Sequence, residues 1–227
     1  MKKTVVTLAL SAALLIAASP ASARQASNRD ASAEGTAAAV TGLLPDATAA
    51  TCEHPLVEQP FAFLGDTLDY VLAPDGSFEG AEPGWLLGDG AAPVAGNDPF
   101  PIHAAGADLN VLSMPSGSSA VSAPMCVDLD YPHARLAVRQ LPRESGRFRG
   151  KLRVETLYPD AKNPRWRKVD VIRPGNGEWF VTDFIDLEPE RGGSDPGGRQ
   201  VSLRFTVPGD DGGFEIDDVY VDPRFRT

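Results

Sequence analysis

Across 227 residues the sequence sets 31 Asp and Glu against 21 Lys and Arg, a formal net charge of -10, with 22 Gly, 20 Pro and only two Cys. Long-range repulsion at that charge opposes non-specific attachment to nucleic acid or an anionic lipid surface, so neither is expected as a partner. The length suits one large all-β domain or two small domains.

Residues 1–23 read as a cleavable signal peptide. Lys2 and Lys3 form a positive start, Val5 to Ala18 an apolar run, and Ala21-Ser22-Ala23 the small-x-small site that a signal peptidase needs. The run is shorter than the roughly 20 apolar residues that span a bilayer, and Ser19-Pro20 interrupts it, so no membrane insertion is expected after cleavage. No Cys follows closely and no Arg pair precedes, which argues against a lipid anchor and for the general export route. A secreted chain starting at Arg24 is expected, and losing two lysines with no acid takes its formal charge from -10 to -12.

Residues 24–50 are rich in Ala, Ser and Thr without an aromatic side chain, the composition of a flexible lead-in. The folded domain is expected over 51–227. Cys52 and Cys126 are the only cysteines, and an exported pair is expected to oxidise to one disulfide. No partner set for a nucleophilic or metal-binding Cys is present.

From Cys52 onward, short apolar segments alternate with Gly, Pro, Asp and Asn, the pattern of consecutive strands and turns. Strand expectations in chain order are Ser77–Glu79, Trp85–Leu87, Leu109–Met114, Ala120–Val127, a strand around Ala134–Arg139, Lys151–Tyr158, Val169–Ile172, Trp179–Leu187, Gln200–Val207 and Phe214–Val221. In the last but one, Val201, Leu203, Phe205 and Val207 alternate with Gln200, Ser202, Arg204 and Thr206, which gives one apolar face. Leu152 and Val154 against Arg153 and Glu155, and Leu136 and Val138 against Arg135 and Arg139, do the same. One-faced strands suit antiparallel sheets packed face to face. The expected fold is therefore all-β, a two-sheet antiparallel jelly-roll β-sandwich of about ten short strands in a single domain. The stretch from Glu188 to Gly198 is too polar and too rich in Gly and Pro for a strand and reads as a surface loop.

Two segments carry a family resemblance. DGSFEGAEPGW, Asp75 to Trp85, resembles the opening strand of carbohydrate-binding modules of the galactose-binding-like jelly-roll type. FEIDDVYVDP, Phe214 to Pro223, is similar to their closing strand. The resemblance spans about residues 70 to 223, and the whole chain further resembles secreted bacterial proteins of Arg-rich, Lys-poor composition. It implies binding of a glycan. It also implies a structural calcium between first and last strands, held by Glu79 with Asp217 and Asp218; three such carboxylates repel one another unless a cation or an Arg neutralises them.

Catalytic patterns are missing. His54, His103 and His133 stand apart in no metal-ligand spacing and read as surface or turn residues. SGSSA at Ser116 to Ala120 lacks the second glycine and the strand-turn-helix context of a nucleophile elbow, and reads as a turn. No enzyme is expected. Among the tryptophans, Trp85 and Trp179 are expected in the core, and Trp166, among charges in NPRWRK, as the exposed ring for stacking on a sugar. The stretch Arg143 to Arg173 holds 10 basic and 4 acidic residues. Together with the outward Arg135, Arg139, Arg153 and Arg204 it forms either a face for an anionic glycan or envelope polymer, or a set of cross-strand ion pairs with acids such as Glu155, Asp170, Asp183 or Asp217.

The resulting expectation is a secreted, monomeric, non-catalytic module for carbohydrate or another extracellular polymer, binding through Trp166, Arg139, Arg153 and Arg204. The alternative is a structural or protein-interaction domain without glycan binding. Closing the long loop between Cys52 and Cys126 stabilises by up to about 4.5 kcal/mol in the chain-entropy model. Cys126→Ser is therefore expected to abolish folding or lower the melting midpoint steeply; an unchanged midpoint contradicts the bridge.

Overall fold

The computed structural model describes residues 56–80, 84–104, 106–127, 132–159, 161, 163–187 and 199–222. The signal segment, the lead-in, Cys52 and the 188–198 stretch lie outside the described residues. After a single 3-10 turn at Ala62–Leu64, every described element is a strand: β1 (Val71–Leu72), β2 (Trp85–Gly88), β3 (Ala92–Ala95), β4 (Asn110–Met114), β5 (Ser119–Ser122), β6 (Met125–Val127) and β7 (His133–Gln140). There follow β8 (Leu152–Leu157), β9 (Arg167–Ile172), β10 (Phe180–Val181), β11 (Ile185–Asp186), β12 (Arg199–Thr206) and β13 (Phe214–Val221).

They form two antiparallel sheets, the jelly-roll sandwich expected, with 13 strands where about ten were foreseen. The first runs β10-β7-β13-β4-β3, with β1 also on β13 and β11 also on β7. The second runs β2-β5-β12-β8-β9, with β6 also on β12. The apolar faces read from β7, β8 and β12 meet between the sheets, where Leu136, Val138, Leu152, Val154, Leu203 and Phe205 are fully buried. Each such side chain contributes roughly 1.5–3 kcal/mol of burial. Trp85 is in the core as expected, stacked on Phe205 at 5.5 Å between ring centroids, its indole N–H donating to the Asp75 carbonyl.

The departures have local causes. Ser77–Glu79 is a turn, with Asp75 and Phe78 in the left-handed region at φ 49° and 58°; this fold of the chain buries Phe78 while Glu79 leaves the core. The expected strand Ala120–Val127 splits into β5 and β6 at Ala123-Pro124, where proline has no N–H for a ladder. Trp179–Leu187 splits into β10 and β11 where the register on β7 shifts by one residue between Val181 and Ile185, the Thr182 hydroxyl accepting the Leu136 N–H within the break. β3 went unread because Ala92, Pro93, Val94 and Ala95 are all exposed, an edge strand without alternation.

A second, smaller apolar cluster lies on the outer face of the first sheet, where Phe61, from the segment before β1, meets both Tyr70 and Tyr220 edge to face. Arg135, expected to face solvent, lies buried beneath this segment. Its guanidinium pairs with Asp66 at 2.7 Å, donates to the Thr182 carbonyl and sits 4.9 Å from the Phe61 ring. Burial opposes ionisation of Asp66, yet the hydrogen bonds from Tyr70 and Arg135 prevail and hold its carboxyl below the usual range.

The turn before β2 lies directly on β13. The Ala73 N–H donates to the Val219 carbonyl, the Val219 N–H to the Gly76 carbonyl, and a Cβ on Gly76 would stand 2.6 Å from the Val219 oxygen. Gly76→Ala is therefore expected to destabilise by about 1–3 kcal/mol through overpacking against backbone, read as a lower denaturation midpoint. No change would mean that the turn is not seated on β13.

Candidate functional site

The site is made where β13 departs from regularity. Phe214 and Ile216 enter the core, and Asp217 pairs with Ala137, but the next registered pair is Tyr220 with Arg135. Asp218 is the bulged residue, in the left-handed conformation at φ 51° and buried. A non-glycine residue held there costs on the order of 1–3 kcal/mol, and such strain collects at functional sites. The bulge shifts the apolar parity, so that Val219 and Val221 return to the core while Asp217, Asp218 and Tyr220 face the other way.

The connection between β3 and β4 brings the rest. Asp98 accepts the Phe100 N–H, the Asn97 amide donates to the Asp108 carbonyl, and His103 Nε2 lies 2.6 Å from Asp218 Oδ1. Oxygens of Asp98, Asp108 and Asp217 lie within 4.8 Å of one another. All four aspartates are at most 5% exposed, and Asp98 Oδ2, Asp108 Oδ1, Asp217 Oδ2 and Asp218 Oδ2 have no hydrogen-bond partner among the described residues. His103 is their only basic partner among the described ion pairs.

The electrostatic consequence is severe. Burial, then repulsion from Asp218 and Asp108, pushes the Asp217 carboxyl up to about 9. Burial, then Asp98 and Asp108, pushes Asp218 to about 9 as well. Burial raises Asp108 to about 6 and also raises Asp98. Two carboxylates at this separation repel by roughly 3–4 kcal/mol at an effective dielectric near 20.

The structure places Asp217 and Asp218 beside Asp98, Asp108 and His103, three residues that sequence reasoning missed. Glu79 has a different duty. Its carboxylate accepts the N–H groups of Leu109 and Asn110 at 2.7 and 2.5 Å and the Asn110 side-chain amide at 3.0 Å. It clamps the start of β4 next to Asp108. The carboxylates offer hard oxygen donors, a set that suits a divalent cation such as calcium, and oxygens within 4.8 Å of one another are close enough to share one ion.

The other sequence candidates divide between the two outer faces. On the second sheet, Arg204 pairs with Glu155 at 2.8 Å and lies 4.4 Å over the ring of half-buried Trp166, with Arg153 two residue pairs away along β8 and β12. Arg139 is on the first sheet, bonded to Glu215 and 5.1 Å from the ring of Trp179. The four residues do not converge. Trp179, expected in the core, is only half-buried because it stands on the link between the sheets. Cys126, on β6, is not free, and its expected partner Cys52 lies outside the described residues.

No family profile matches the chain, and no curated protein does. Solved structures similar to it include the CBM22-1 xylan-binding domain of Xyn10C from Paenibacillus barcinonensis, 11% identical with a TM-score of 0.47 over 70% of this chain and 97% of that one. Another is the arabinose-bound α-L-arabinofuranosidase MgGH51, 19% identical with a TM-score of 0.45 over 69% of this chain and 27% of that one. A third is the family 11 carbohydrate-binding module of Lic26A-Cel5E from Clostridium thermocellum, at 12% and 0.40 over 70% of this chain and 98% of that one. The chain spans about a quarter of the arabinofuranosidase and nearly all of the two modules.

In metal-free protein, Asp217 and Asp218 hold protons in the native state up to about pH 9 but lose them near 4 when unfolded. The native state then binds more protons throughout that window, so stability is greatest at its acid end and falls as pH rises. Chelator-treated protein is expected to melt lower at pH 8 than at pH 5, with Asp217→Asn flattening the slope. A midpoint that rises across the window contradicts the cluster.

Proposed function

We propose that the chain is a secreted, non-catalytic module that binds carbohydrate, with calcium as a structural ion in the aspartate cluster. Asp98, Asp108, Asp217 and Asp218 supply the oxygens, and Glu79 holds the loop that carries Asp108. Bound calcium supplies the positive charge that four crowded carboxylates require. Export, as the first 23 residues suggest, would place the chain where calcium is available and where Cys52 and Cys126 oxidise; the absence of a free described cysteine supports the bridge.

The observation that carries the binding reading is that each half-buried tryptophan on the outer surface is paired with an arginine that is itself ion-paired. Trp166 lies under Arg204 with Glu155, and Trp179 under Arg139 with Glu215. A ring fixed in this way loses little freedom on stacking against a sugar. Arg153, beside the first pair and outside any described ion pair, adds a hydrogen-bond donor for hydroxyl or acidic groups. The perturbed carboxyls are buried and serve the interior. The glycan partner supplies the apolar face of a sugar ring and a set of hydroxyls.

Two measurements test this. In pull-downs on insoluble polysaccharides the exported chain is expected to be retained, without new reducing ends appearing on the polymer. Passage through every column, with a protein co-purifying instead, favours the interaction-domain alternative. Adding calcium to chelated protein at pH 7.5 is expected to raise the melting midpoint, by about 2.7 kcal/mol of stability at a hundredfold excess over Kd. An unchanged midpoint, with no metal found by elemental analysis, rules the ion out.

A further inference from the structure

We propose that the open groove between β9 and β10, about 430 Å³ in volume, is the seat of the glycan, and that the glycan is a neutral one stacked on Trp179. This rests on the carbohydrate-module reading and assigns its ligand class and place. The volume lies in the lower part of the range for small-ligand sites, about 300–1,000 Å³.

The groove is built by the topology. β9 is the edge of the second sheet and β10 the edge of the first, so the link between them, residues 173–179, passes from one sheet to the other. Gly175 and Gly177, at φ 83° and 75°, let that link turn back on itself. A Cβ on Gly177 would collide with the Phe148 ring, and the Glu178 N–H donates to the Asn176 side chain at 3.3 Å. The wall is therefore anchored before any ligand arrives.

Its lining has the two parts that a sugar needs. Trp179 lines the groove and supplies an aromatic surface, and Arg139, held by Glu215, lies 5.1 Å over its ring. Around it stand Asp170, Glu178 and Asp183, with Asn176 and a single cation, Arg173. Three carboxylates accept hydrogen bonds from sugar hydroxyls, which are good donors, and the asparagine adds a donor. Three negative charges against one positive repel a uronate or sulfated chain, so the ligand class is neutral pentose or hexose units. The basic outer face expected from the sequence has no counterpart here. Arg139 acts as a positioning residue, through the ring.

The test is calorimetric titration of the exported chain, in calcium, with xylohexaose and cellohexaose as neutral probes and hexagalacturonate as the anionic one. The expected result is binding of a neutral probe, about tenfold weaker in Trp179→Ala. Because Trp179→Ala removes packing as well, the double variant Glu178→Ala, Asp183→Ala, at two exposed positions, is the second arm and is also expected to weaken binding about tenfold. Full neutral-probe affinity in both groove variants overturns the groove and leaves the module reading intact. Preference for hexagalacturonate overturns the neutral class. Binding of none of these probes, by a chain retained on an insoluble polysaccharide, also overturns the groove; failure there as well overturns the module reading beneath it.

Discussion

Asp98, Asp108, Asp217 and Asp218 share one buried volume with a single histidine for company, and that crowding governs the structure around it. Carboxylates are buried only when paired, protonated or bound to a metal, because the cost of removing an unpaired charge from water far exceeds the gain of a contact. The irregular features of the chain near them lie where those four groups come together. β13 adopts a left-handed residue, the preceding turn sits against it at Gly76, and the long β3–β4 connection folds back with Glu79 holding its end. The cluster and the turn beside it thus tie two segments distant in sequence to the central strand of the first sheet.

The surface is organised by what the interior leaves over. The outer face of the first sheet is largely taken by the segment before β1, with Arg135 and Asp66 beneath it, so that face offers an edge and not an open floor. Along its edge Arg139 steadies Trp179, and on the opposite sheet Arg204 steadies Trp166. Each arginine also has a carboxylate partner, which divides its charge between an ion pair and a ring. The carboxylates of these pairs are largely buried and the arginines partly exposed, so each pair fixes a geometry at the surface.

Strand alternation was legible because it reflects burial on one face. Val201, Leu203 and Phe205 could be assigned inward without any knowledge of the partner sheet. The bulge left a trace too: Ile216 is followed by Val219 and Val221, a step of three where a regular strand steps by two. Read closely, that change of parity marks Asp217-Asp218 as special. Asp98, Asp108 and His103 left no such trace, since a loop without periodicity brings them in, and their proximity to Asp217 is a fact of topology. Arg135 alternates as a solvent-facing residue; what covers it comes from about 70 residues earlier. Trp179 continues an apolar pattern into a segment that crosses between sheets, where alternation no longer reports which side is buried.

The central claim is that the aspartate cluster exists to hold a divalent cation. Calorimetric titration of chelator-stripped protein with calcium at pH 7.5, repeated in buffers of different ionisation enthalpy, reads both the ion and the protons it displaces. With Asp217 and Asp218 raised to about 9, both are protonated before calcium arrives, so saturable binding of one ion per chain with release of those protons is the result the account predicts. No binding, or binding with no change of heat between buffers, would contradict it.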